Sequence, residues 1–171
     1  MRTVLALLVS AALLVVAALA FIYSGLYDVA ASAPDAGVVG WALGTIQSRS
    51  VHRRAEEVAV PPLGDPAMIR QGLVLYHEMC AACHGAPGVA ISAIGQGLNP
   101  PPPELASEAE EPGELFWVTK HGIKMTGMPA FGVTLDDEEL WAIVAFLQKM
   151  PEMSPEEYQA AVRAAGPAPP L

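Results

Sequence analysis

Cys80-Ala81-Ala82-Cys83-His84 places two thiols three residues apart and an imidazole directly after the second. Thiols at that spacing on one helical turn can reach two vinyl groups from one side of a planar ring. Each adds across one vinyl to give a thioether. The imidazole that follows then comes under the ring's metal as a proximal ligand. C-x-x-C-H is the attachment pattern of c-type haem. Two other chemistries also use C-x-x-C. A zinc site needs two further ligands at short spacing, and the chain has no second C-x-x-C and no H-x-x-x-H. A redox dithiol usually sits in a βαβ setting, and no strand-rich segment is visible. The cofactor expected is one covalently attached haem c, with a non-haem thiol protein as the reading it must beat. Both cysteines of the chain lie in the motif, so none remains for a structural disulfide.

A ligand for the other face of the iron lies downstream, in Thr126-Gly127-Met128-Pro129-Ala130-Phe131-Gly132. A methionine after a tight turn and held by a proline suits a thioether ligand. With both motifs present, residues of about 65–150 resemble the class I c-type cytochrome family. The resemblance implies an all-α, cytochrome c-like haem domain with His84 and Met128 as axial ligands and Cys80 and Cys83 as attachment points. It also implies that a proline carbonyl beyond the haem motif holds the second ring nitrogen of His84. Any of Pro100 to Pro103 could provide it. Met125, three residues before Met128, is the competing thioether and is expected to line the haem crevice. His121 is expected to be exposed or capping rather than a ligand.

Several elements must position these groups. Asp65-Pro66 opens a helix as N-cap and first helical residue, running to about Met79. Ile69, Leu73 and Tyr76 share one face, with Gly72 beside them. A glycine inside a helix costs about 1 kcal/mol against alanine, so a packing reason is expected. The resemblance supplies one: Gly72 and Tyr76 match positions that meet the family's last helix. That helix should start after Asp136, with Glu139 completing a capping box. Leu140, Ile143, Val144 and Leu147 form its stripe, and Phe146 should lie near Gly72 and Tyr76. Between them, Gly85–Asn99 reads as loop and Pro112–His121 as a short helix. Leu115, Trp117, Val118 and Ile123 are pocket or core candidates. Ser154–Ala165 reads as a further helix, and 166–171 as a disordered tail.

The first third differs. Val4–Tyr23 is an almost wholly apolar run of twenty residues, close to the ~20 needed to span a bilayer. It exceeds the roughly 7–15 residues of a signal-peptide core. An uncleaved anchor is favoured, although Ala18-Leu19-Ala20 and Ala31-Ser32-Ala33 both resemble cleavage sites. Arg2 then stays cytoplasmic, and the haem domain faces the periplasm or the outside of a bacterial inner (plasma) membrane. Val38–Val58 reads as an amphipathic helix, apolar over Val38–Ile46 and basic over Gln47–Arg54. It could lie on the membrane surface or dock a partner subunit. The organisation expected is a transmembrane anchor at 1–27, a juxtamembrane helix and linker at 28–64, a haem domain at 65–150 and an extension at 151–171.

Charge separates the same regions. Beyond residue 60, Arg70, Lys120, Lys124, Lys149 and Arg163 face fourteen Asp and Glu, and the whole chain carries −9. Such a field argues against nucleic acid as a partner. It serves solubility, or steering toward a basic partner face. A six-coordinate iron held by His84 and Met128 leaves no open site for substrate. The expected function is therefore a membrane-tethered monohaem electron carrier between redox protein partners or complex subunits of a respiratory or dehydrogenase/oxidase system, not an enzyme in itself. The contrasting reading is a haem-based small-ligand sensor or weak peroxidase with a displaceable methionine.

Overall fold

The computed structural model describes residues 1–33, 35, 37–107 and 109–166. Among these the chain is helical and contains no β-strand. It divides into two units, Met1–Ala33 and Pro34–Leu171. The first unit is built on α1, Arg2–Ser24, which Gly25 ends in the left-handed conformation at φ 67°. Helix α1 is long and apolar enough to cross a membrane. Its leucine and valine side chains are exposed along its length.

The second unit holds seven α-helices among the described residues: α2 (Gly37–Ala55), α3 (Pro66–Met79), α4 (Ala81–His84), α5 (Ala93–Gln96), α6 (Pro112–His121), α7 (Asp137–Lys149) and α8 (Pro155–Ala165), with short 3-10 turns at Phe131–Val133 and Met150–Glu152. Local chemistry sets most of their ends. The Asp65 side chain accepts from the Ala67 N–H, and Pro66 fills the first helical position. Asp136 with Glu139, and Ser154 with Glu157, form reciprocal capping boxes. Glu111 accepts from the Glu114 N–H at 2.7 Å and starts α6. The α5 turn falls in the segment expected to be loop, capped by Ser92. The tail beyond Gly166 lies outside the described residues.

The core is the crossing of α3 and α7. A Cβ on Gly72 would stand 1.8 Å from the Ala142 carbonyl oxygen and 2.9 Å from Phe146 Cβ. Only a glycine lets the two backbones meet there. Around that point Leu140, Ile143, Val144 and Phe146 are buried. The Tyr76 and Phe146 rings lie 5.4 Å apart, and the buried Tyr76 hydroxyl donates to the Gly85 carbonyl at 2.6 Å. Tyr158 on α8 extends the cluster. It is fully buried, and its hydroxyl lies 2.9 Å from His77 Nδ1 on α3.

Helix α2 departs from the expected membrane-surface or partner-docking element. Its second half lies against α6, with Val51 and Ala55 buried. These residues sit one turn apart and turn one side of the basic half inward. Gly113 admits the helix end: a Cβ there would lie 3.2 Å from the Ala55 carbonyl oxygen. His52 and Glu114 meet at 2.8 Å, and the Arg54 guanidinium stands 5.9 Å from the Trp117 ring centre. Trp117 is therefore half-buried beneath Arg54, not a core residue. The first half of α2 keeps Val38, Trp41 and Ile46 exposed.

Candidate functional site

Helix α3 delivers the motif. Its last turn ends at Cys80, whose N–H bonds back to the Tyr76 carbonyl. The chain then rewinds as α4: the Cys83 and His84 N–H groups both donate to the Cys80 carbonyl, at 3.0 and 2.9 Å. The turn is braced from behind. The Ser92 N–H donates to the Ala82 carbonyl at 2.9 Å. Gly95 of α5 comes so close that a Cβ would lie 3.0 Å from the Cys83 Cα.

Cys80, Cys83, His84 and Met128 all line one cavity of about 610 Å³. That volume is in the ordinary range for a bound cofactor, about 300–1,000 Å³. Leu98, Leu115, Val118, Ile123, Ile143 and Leu147 supply apolar wall. Among the four prolines left open, Pro103 holds the histidine: His84 Nδ1 lies 2.9 Å from its carbonyl oxygen. A carbonyl only accepts, so Nδ1 carries a proton, which in the neutral ring leaves the lone pair on Nε2. An imidazole, a thioether and two thiols on an apolar cavity are a donor set that fits an iron tetrapyrrole.

A small closed loop carries Met128. The Ile123 N–H donates to the Met128 carbonyl at 3.1 Å. The Thr126 hydroxyl donates to the Ile123 carbonyl at 2.8 Å and accepts from the Met128 N–H at 3.1 Å. Gly122 ends α6 at φ 63°, and a Cβ there would lie 2.8 Å from the Met128 carbonyl oxygen. The end of α6 and the methionine loop can therefore touch only at a glycine. Met125 does not line the crevice as expected. It sits at φ 60° and is 92% exposed. The left-handed backbone at that residue turns its side chain out. His121 is exposed, with its ring centre 4.9 Å from that of Trp117. Leu115, Val118 and Ile123 reach the cavity; Trp117 does not.

Before any bond is made to it, the Cys80 thiol is pushed up to about 12 by burial and, second, by Cys83. A dithiol oxidoreductase relies on a thiolate at neutral pH and a partly exposed sulfur. Cys80 does not meet that description; Cys83, which is half-buried, is the more accessible of the two.

Three lining residues lie on α2: Gln47, Ser48 and Val51. Glu110 and Glu114 complete this part of the wall. Sequence reasoning missed all five. A signal existed, since Ser48, Val51 and Ala55 follow a 3–4 spacing, but the arginines between them hid it.

Residues 67–147 match the family model described as cytochrome c oxidase, cbb3-type, subunit III. The match runs from the first turn of α3 to the last turns of α7 and includes both motifs. It leaves out α1, α2 and α8. No curated protein matches the chain.

Proposed function

We propose, from the match of residues 67–147 to a cytochrome c-type family model and the haem-based electron transfer it implies, that the chain is a membrane-tethered monohaem cytochrome c. Cys80 and Cys83 would hold the haem by thioethers, and His84 and Met128 would supply ligands to its iron. The observation that carries this reading is the placement of His84. Its Nδ1 proton is spent on the Pro103 carbonyl, and the residue lines the same cavity as Met128.

When bound, the haem supplies one-electron chemistry at its iron, with no bond made or broken in the protein. Pro103 fixes the ring's orientation and, in the neutral ring, the tautomer that leaves the lone pair on Nε2 of His84. The Thr126 and Gly122 contacts hold the Met128 loop in one shape, so little rearrangement is needed when the charge changes. A thioether favours the reduced iron over stronger donors. The leucines, Val118 and Ile143 exclude water from the ring. Helix α1 tethers the domain to a bacterial plasma membrane, with the domain in the periplasm. Its partners are proteins of a redox complex, for which the description of the matched family points to an oxidase.

The test is the absorption spectrum of the oxidised, matured protein in the near infrared, where sulfur-to-iron charge transfer appears. The band is expected in the parent and in Met125→Ala and absent from Met128→Ala. A parent that lacks the band and binds carbon monoxide readily once reduced has an open iron. The sensor or peroxidase reading then replaces the carrier.

A further inference from the structure

The matched region begins at residue 67, yet part of the cavity wall lies twenty residues before it. Val51 is buried, lines the cavity and packs beside α6. Gln47 and Ser48, one turn earlier, line the same cavity where it opens to solvent. A c-type haem has two ends of different chemistry. The vinyl edge is apolar and is taken by the cysteines. The opposite edge carries two propionate carboxylates, which need hydrogen-bond donors or counter-charge where they meet protein.

Most polar groups on the wall do not meet that need. The Tyr76 hydroxyl is donated to Gly85, and the Thr126 hydroxyl to Ile123. Glu110 and Glu114 are acidic and would repel a carboxylate, though Glu114 is covered by His52 of α2 at 2.8 Å. The uncharged donors left are Thr119 on α6 and the pair Gln47 and Ser48 on α2. Helix α2 therefore brings two donors, an apolar contact and the partner that masks one acid.

We propose that α2 is part of the haem site, with the Gln47 amide and the Ser48 hydroxyl binding the propionate edge and Val51 packing on the ring. The inference rests on the haem reading above and extends it to residues outside the matched domain. The segment after the anchor is then not a passive spacer, because it helps set the potential of the haem.

The experiment uses the full-length holoprotein in detergent. Covalent haem content, thermal midpoint, reduction potential and the pH profile of that potential are measured for the parent, Gln47→Leu/Ser48→Ala, and Thr119→Val. Both α2 positions are exposed and attachment would be through Cys80 and Cys83, so covalent haem content should match the parent, while the thermal midpoint should fall by no more than the lost hydrogen bonds account for. A carboxylate that loses its donors places more effective negative charge beside the iron and favours the ferric state. Its own proton affinity also rises. The double variant should therefore show a lower potential, and the pH midpoint of its potential should move up. Gln47→Glu, which replaces a donor by a charge of the same sign, should lower the potential further. An unchanged potential and pH profile at full haem content overturns the proposal. So does a shift confined to Thr119→Val, which assigns the propionate edge to α6 alone. A parent without covalent haem would instead defeat the underlying haem reading.

Discussion

Two helix contacts in the second unit are built differently. At the α3–α7 crossing, backbone meets backbone at Gly72 and Ala142, ringed by Tyr76, Ile143 and Phe146. Its one buried polar side chain, Tyr76, is satisfied by the Gly85 carbonyl. At the α2–α6 contact, only Val51 and Ala55 are buried on the α2 side. The rest is polar: His52 on Glu114 and Arg54 over Trp117. The first contact tolerates no added atom and responds to shape. The second is shallow, exposed at its rim and responsive to solution conditions. A haem bound between them would touch one wall that defines the fold and another that can be adjusted without disturbing it.

The sharpest way to break this contrast is to add one methyl group to the crossing. In Gly72→Ala the new Cβ would lie 1.8 Å from the Ala142 carbonyl oxygen, so the helices must separate. Overpacking a close-packed core costs about 1–3 kcal/mol and sometimes more. The gain in helix propensity returns only about 1 kcal/mol. The added atom meets backbone rather than a yielding side chain, so denaturant unfolding of the ferric holoprotein, followed by its absorption, should show the upper end of that balance, a net loss of about 2 kcal/mol or more, up to a failure to mature. A variant with parental stability would mean that the two backbones do not touch.

Removing atoms from each contact gives the next comparison. Phe146→Ala empties a large buried site and is expected to cost about 3–5 kcal/mol. Val51→Ala removes two buried carbons, worth about 1.5 kcal/mol at roughly 0.8 per methylene. The same unfolding measurement should rank them in that order. Equal losses would show that α2 is as integral to the fold as α7.

The difference between the contacts also accounts for what could be read from the sequence. The starts of α3 and α7 were legible because caps are local: Asp65-Pro66 and Asp136 with Glu139 each act within one turn. Gly72, Tyr76 and Phe146 were placed together by the family resemblance, and their contact is present. The choice of Pro103 among four prolines was not legible, because it depends on the path of the loop from His84. Nor was the outward turn of Met125, which follows from one positive φ that no residue type there demands. The packing of α2 was hidden for a third reason. Two small apolar residues among Arg49, His52, Arg53, Arg54 and Glu56 make a face that looks solvated, and its partners on α6 lie about sixty residues away.

The smallest effect is also the most specific to the α2–α6 contact. The hydrogen bond that His52 donates to Glu114 raises the affinity of His52 for its proton, with loss of solvent opposing, the charges of Glu114 and Glu56 adding and that of Arg49 opposing. The folded-state value is thus above the unfolded one of about 6.5. Stabilisation from the pair is fully present below about pH 6.5 and is lost as pH rises through the raised folded value. Both side chains are solvated, so the effect is modest and weakens with added salt. Thermal midpoints of the parent and His52→Gln should differ most in mildly acidic buffer and converge in alkaline buffer, with Val51→Ala showing no such pH trend. A His52→Gln difference that stays constant across pH would mean that the imidazole acts by shape rather than charge. The α2–α6 contact would then be of the same kind as the α3–α7 crossing after all.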